Sequence, residues 1–236
     1  LAALEHAAAI LTVLEDVRRA GGTAHYVACD VTDTDAVARL LREAERAEGH
    51  VDVILHAAGI ERSRRLEDKT PEEFARVFAV KADGAFNLLK AMESLKRAPQ
   101  AVIAFSSVAA RFGNAGQTDY SAANDLLCKL MSSLRATHPD IQALALDWSA
   151  WAEVGMASRG SIPRIMRRAG IEMLRPESAA PLVYRELLAG GPGGEVVLAG
   201  DLGLLTAPRT QDGGLDVARA NAALTAGNPP HVMLSH

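Results

Sequence analysis

A serine, a tyrosine and an asparagine share one short stretch, FSSVAARFGNAGQTDYSAAN, from Phe105 to Asn124. An apolar run ends in two serines, a Gly-rich loop follows, and a helical pattern opens with the tyrosine. Ser107 and Tyr120 are thirteen residues apart, and Tyr120 and Asn124 are one helical turn apart. This layout brings a hydroxyl, a phenol and an amide to one point. A phenol held beside a hydroxyl can protonate a carbonyl oxygen, so carbonyl reduction is the chemistry this stretch favours.

An ordinary phenol, with a pKa of about 10, holds its proton at neutral pH and needs a nearby cation to release it quickly. Lys81 is the candidate cation. It lies on the apolar stripe of a helical pattern that includes Phe74, Val77, Phe78, Ala85 and Leu88. On spacing alone it is either buried with a partner or snorkels past its neighbours to water. Ser107 would polarise a carbonyl oxygen, or it simply caps the turn after a strand. Asn124 would orient Lys81 or a water between them, or it is an ordinary polar helix residue. The set is far more specific than any member.

The elements that must position this set alternate along the chain. Strands are expected at Ala24–Cys29, Val51–Leu55, Ala101–Phe105, Ile141–Leu146 and Glu195–Leu198, each short and mostly apolar, as strands buried on both faces are. Helices are expected at Leu1–Ala20, Thr34–Ala47, Pro71–Lys96, Thr118–Thr137 and Glu177–Leu188. Thr70, Pro71 and Glu73 form a capping-box start, and Gly21-Gly22 stops the first helix. The alternation predicts an α/β fold with a doubly wound parallel sheet, whose ligands bind beyond the carboxyl ends of the strands. Those ends carry Asp30, then His56-Ala57-Ala58-Gly59, then Ser106-Ser107, then Asp147-Trp148. Beyond about Gly203 the pattern dissolves, so residues 1–203 are expected to form the catalytic domain and 204–236 a linker or domain edge.

Composition narrows the function classes. The 236 residues are 49% hydrophobic but only 4% aromatic, so the core must be built from Ala, Leu and Val. The net charge is −4 with no basic run, which argues against nucleic acid as a partner. No segment approaches the roughly 20 apolar residues of a membrane span, and no signal peptide is evident. Cys29 and Cys128, the two cysteines, make neither a disulfide framework nor a metal set and read as reduced core thiols of a cytoplasmic protein.

The Phe105–Asn124 stretch resembles the active-site segment of short-chain dehydrogenase/reductases. It is similar in particular to the ketoreductase domains of polyketide and polyunsaturated fatty acid synthases. CDVTD at Cys29–Asp33, HAAG at His56–Gly59, the Lys81 segment VKADGAFNLLKA, GNAGQTDYSAAN and LDWSAWAEVGMA fall in that family's order. Simpler members carry lysine four residues after the tyrosine and asparagine on the earlier helix. Asn124 and Lys81 show the exchanged arrangement of the synthase-embedded domains.

The resemblance implies NADPH-dependent reduction of a β-ketoacyl thioester carried on an acyl carrier protein, among neighbouring synthase domains. Its alternatives are a non-catalytic structural half of a synthase and a free-standing carbonyl reductase. It implies that Tyr120 donates the proton, Ser107 positions the ketone, Lys81 lowers the phenol pKa and contacts the nicotinamide ribose, and Asn124 completes a relay. It assigns Asp30 and Val31 to the adenine, and Ala57, Ala58 and Gly59 to the close approach of the cofactor. The plain reading of Asp30 is a helix cap or turn residue. Trp151, Val154, Gly155 and Met156 fall at the start of a lid over the substrate, although Met156 also reads as core filler. No metal is implied. Ala110 and Ser149-Ala150 replace the usual glycine and Gly-Pro, and Glu61-Arg62-Ser63 and Phe112 stand where the markers of alcohol configuration occur. The resemblance also implies an N-terminal strand and Gly-rich turn that this sequence does not show. The expectation is that the chain is part of a longer polypeptide.

Overall fold

The computed structural model describes residues 2–158, 160, 162–189 and 194–203. The expected tail at 204–236 lies outside them. In chain order the helices are α1 (Ala2–Arg19), α2 (Thr34–Glu48), α3 (Pro71–Met92), α4 (Val108–Phe112), α5 (Thr118–Thr137), α6 (Ile162–Arg168) and α7 (Pro176–Ala189). The strands are β1 (Val53–His56), β2 (Ala101–Ser107), β3 (Gln142–Trp148) and β4 (Glu195–Leu198). They form one parallel sheet in the order β1-β2-β3-β4.

Alternation along the strands separates two apolar layers. Val102, Ala104, Ala143 and Ala145 face α2, α3 and α5, where Val37, Leu41, Ala85, Leu127 and Met131 complete the larger cluster. Ile103, Leu144 and Leu146 point the other way and pack with Ala179, Leu182 and Val183 of α7. Helices therefore cover both faces of a Rossmann-like sheet.

Local chemistry sets the helix ends. Asp33 Oδ1 accepts the backbone N–H groups of Asp35 and Ala36 at the start of α2. Thr70 Oγ1 accepts from Glu73 N at the start of α3, with Pro71 in the first turn.

The expected strand Ala24–Cys29 is not one. Among the described residues that segment pairs with no strand, and Tyr26 and Val27 are exposed. An apolar run marks a segment suited to burial, but a strand exists only through a neighbouring ladder. On β1, Ile54 and His56 face the covered side, while Val53 and Leu55 on the other face remain exposed.

Candidate active site

The carboxyl end of β2 delivers the first group. Ser107 is its last residue and also the N-cap of α4, where its Oγ accepts from Ala109 N at 3.2 Å. The expected capping role is present, and it leaves the hydroxyl's single proton free for donation elsewhere. After the Gly-containing turn, α5 opens and places Tyr120 in its first turn. Burial raises the phenol pKa, while the facing Ser107 hydroxyl and Asn124 amide pull it back down. Tyr120 therefore holds its proton at neutral pH.

Asn124 is completely buried. Its Nδ2 donates to Tyr120 O at 2.8 Å, and its Oδ1 has no hydrogen-bond partner. A buried amide oxygen without a donor is costly in a finished core and is expected where a ligand or water completes a site.

Lys81, at 3% exposure, takes the buried alternative. Its Nζ donates to the carbonyl of Phe105, two residues before Ser107 on β2. Desolvation pushes its pKa down to about 8. The ammonium thus sits at the end of β2, held by a strand carbonyl two residues before Ser107. Gly59 explains how Lys81 fits. A Cβ there would lie 2.6 Å from Lys81 Cε, so the missing side chain makes room for the lysine. Gly59→Ala is expected to displace the ammonium from Phe105 rather than disturb the backbone. Turnover should fall by about 10²-fold with little change in thermal midpoint, which parallel kinetic and melting measurements check.

His56 is buried beneath the lysine, with Nε2 donating to Lys81 O at 3.0 Å. Burial pushes its pKa down to about 4. The unfolded chain therefore binds a proton between the ordinary pKa near 6.5 and that value, while the folded chain does not. His56 contributes stability above about pH 6.5 that is lost toward pH 4. The stability advantage of the wild type over His56→Asn should shrink over that interval by up to about 3 kcal/mol, measured as urea midpoints.

Tyr120, Ser107, Lys81 and Ala57 line a cavity of about 850 Å³. Much of the rest of its lining is apolar and comes from Trp148, Trp151, Val154, Met156, Ile165 and Met166, with Gly155 also present. Trp148 and Trp151 meet edge to face with ring centroids 4.8 Å apart. The four residues expected at the lid thus all reach the cavity, and Met156 forms part of its surface rather than core. Asp30, Val31, Ala58, Gly59 and Asn124 lie outside the wall. Asp30 is exposed, and its Oδ1 accepts from Thr32 N and Oγ1 at 2.9 and 2.8 Å, the plain turn arrangement. The neighbouring helix is capped by Asp33 instead.

Sequence reasoning missed Lys69 and Asp119. Each side chain is 1% exposed, and Lys69 Nζ donates to Asp119 Oδ2 at 2.6 Å and to Arg62 O at 2.8 Å. Asp119 Oδ1 accepts from Tyr120 N at 2.9 Å. The pair ties the loop after β1 to the turn that carries the phenol. Arg64 N donates to Gly116 O across the same seam, where Gly116 has φ of +79°. The aspartate immediately before Tyr120 was the available signal, but its partner lies fifty residues upstream.

Comparison with known proteins places this geometry. The KR domain family model matches residues 3–153. A polyunsaturated fatty acid synthase component from Thraustochytrium sp. is 34% identical over 175 residues, covering 73% of this chain and 6% of that protein. The spectinabilin polyketide synthase system protein NorB of Streptomyces orinoci is 36% identical over 180 residues, covering 74% of this chain and 8% of that protein. A solved A1-type ketoreductase superposes with a TM-score of 0.75 at 26% identity, covering 91% of this chain and 45% of the other. The chain thus spans a small fraction of these synthases and under half of that solved chain. With its parallel sheet, its strand-end serine and its Tyr-x-x-x-Asn helix, this chain belongs to the KR domain family, the ketoreductases of the short-chain dehydrogenase/reductase superfamily.

Proposed function

We propose that this ketoreductase-family chain reduces a β-ketoacyl thioester, presented by an acyl carrier protein among neighbouring synthase domains, to the β-hydroxyacyl thioester with NADPH. The observation that carries the reading is the convergence of Ser107, Tyr120 and Lys81 on one cavity whose remaining lining is largely apolar. Two proton donors suit a carbonyl oxygen, and the apolar lining suits an acyl chain.

The residues present fit the nicotinamide end of the cofactor. Small Ala57 and cationic Lys81 adjoin Tyr120 in the cavity, and Asn124 Oδ1 stands without a partner behind them. Lys81 and Tyr120 would hold the ribose, Ala57, Ala58 and Gly59 would flank the cofactor's backbone, and Asp30 and Val31 would meet the adenine. When bound, the dihydronicotinamide supplies a hydride to the carbonyl carbon. Ser107 directs its hydroxyl proton at the ketone oxygen and polarises it. Tyr120 gives its phenolic proton to that oxygen as charge develops. Lys81 keeps a positive charge close to the resulting phenolate, and Asn124 fixes the backbone turn that holds Tyr120. Trp151, Val154 and Met156 exclude water from the acyl side.

NADPH oxidation by the full-length polypeptide with a β-ketoacyl-N-acetylcysteamine thioester tests this. Turnover to the β-hydroxy product is expected, faster when the acyl group is delivered on a carrier protein. A folded protein that consumes no NADPH with either substrate overturns the reading.

A further inference from the structure

Behind Ser106 at the end of β2, three potential metal ligands from three elements meet. Cys128 of α5, Asp147 of β3 and Glu195 of β4 each offer one atom, and these atoms lie within 4.8 Å of one another. The sequence separates them widely, so cysteine counting gave no sign of a metal set. We propose that Cys128, Asp147 and Glu195 bind a divalent zinc-type cation that staples α5 to the sheet.

Four observations support the assignment. First, Asp147 is completely buried, yet its Oδ2 has no hydrogen-bond partner. Its Oδ1 faces Cys128 Sγ at 3.3 Å. Second, the 3.3 Å between Cys128 and Asp147 suits the ion, and the partly exposed Glu195 closes the remaining gap. A tetrahedral zinc with ordinary Zn–S and Zn–O bonds separates sulfur from oxygen by about 3.6 Å. Third, the charge suits it. A thiolate and two carboxylates leave one excess negative charge around a divalent ion, and the Arg111 guanidinium, 3.2 Å from Glu195 Oε1, balances it. Fourth, the sulfur already lies among polar groups. Ser106 Oγ sits 3.4 Å from Cys128 Sγ with its own proton given to Asn124 O, and the Cys128 thiol donates to Asn124 O at 3.4 Å, a bond that the thiolate would exchange for the metal.

A mixed sulfur and oxygen set favours zinc or cobalt over magnesium or calcium. Glu195 is partly exposed, at 30%, and provides the entry path. The site lies on the far side of Ser106 from the cavity, so its role is to hold α5, and Tyr120 with it, in place.

Cobalt(II) titration of the tag-free, chelator-treated full-length protein tests this. A thiolate-to-cobalt charge-transfer absorption is expected, saturating at one equivalent and displaced by zinc. It should vanish in Cys128→Ser, persist in Cys29→Ser, and require at least tenfold more cobalt in Glu195→Gln, whose partly exposed position keeps the fold testable. Zinc should raise the melting temperature of the wild type but not of Glu195→Gln. A folded wild type without the absorption overturns the proposal and leaves a proton shared between Asp147 and Glu195. So does an absorption that survives Cys128→Ser, or an affinity unchanged in Glu195→Gln.

Discussion

Replacing Tyr120 by Phe is expected to lower kcat by about 10²- to 10⁴-fold, the usual worth of a positioned general acid. The argument is geometric before it is electrostatic. Tyr120 lines the cavity beside Ser107, and burial keeps its phenol protonated at neutral pH. The ring packs in the first turn of α5 and the change removes a single oxygen, so the fold should survive intact by circular dichroism and melting. KM for the thioester should move far less than kcat, because the proton is needed only as charge develops on the oxygen. Wild-type turnover in Tyr120→Phe would remove the tyrosine from the mechanism.

The second large effect is on stability. Lys69→Met should destabilise the protein by about 3–5 kcal/mol, because it strands the Asp119 carboxylate in a buried site. For a chain of this size that lowers the melting temperature by roughly 10 °C or more. Adding Asp119→Leu should restore part of the loss, since a paired apolar replacement leaves no uncompensated charge. The restored double variant should still be slow, because Tyr120 N has lost its Asp119 acceptor and the loop after β1 its anchor. Urea denaturation of the two single variants and the double variant gives the coupling directly. A loss below about 1 kcal/mol in Lys69→Met would mean that water reaches the pair, as at exposed ion pairs.

The contrast between Tyr120 and Lys69 shows what could be read in advance. Helix α5 matches its expected bounds, Thr118–Thr137, because its apolar period and its opening turn are local signals. Strands β2, β3 and β4 were legible as continuous apolar runs, though β2 and β3 each extend two residues further toward the site. Short α4 and α6 escaped because a turn or two of helix shows no period. Lys81 stood undecided between buried and snorkelling, and the structure settles it through Gly59, a position that no helical wheel includes. Lys69–Asp119 and Cys128–Asp147–Glu195 were invisible for one reason. Each is assembled by parallel strand order across long separations, and no residue in either group carries a local pattern that names its partner.

The cap at Ser107 has a consequence for what the cavity accepts. Because Ala109 N–H occupies a lone pair of the serine oxygen, the backbone sets the direction of that hydroxyl's hydrogen bond. With Tyr120 protonated, the cavity presents two donors side by side. A ketone oxygen, with two lone pairs and no proton, satisfies both. An alcohol oxygen can accept from both as well, but its own hydrogen then needs an acceptor that neither donor supplies. One backbone amide thereby helps set which oxygen-bearing ligands leave no hydrogen-bonding group unmatched in the cavity.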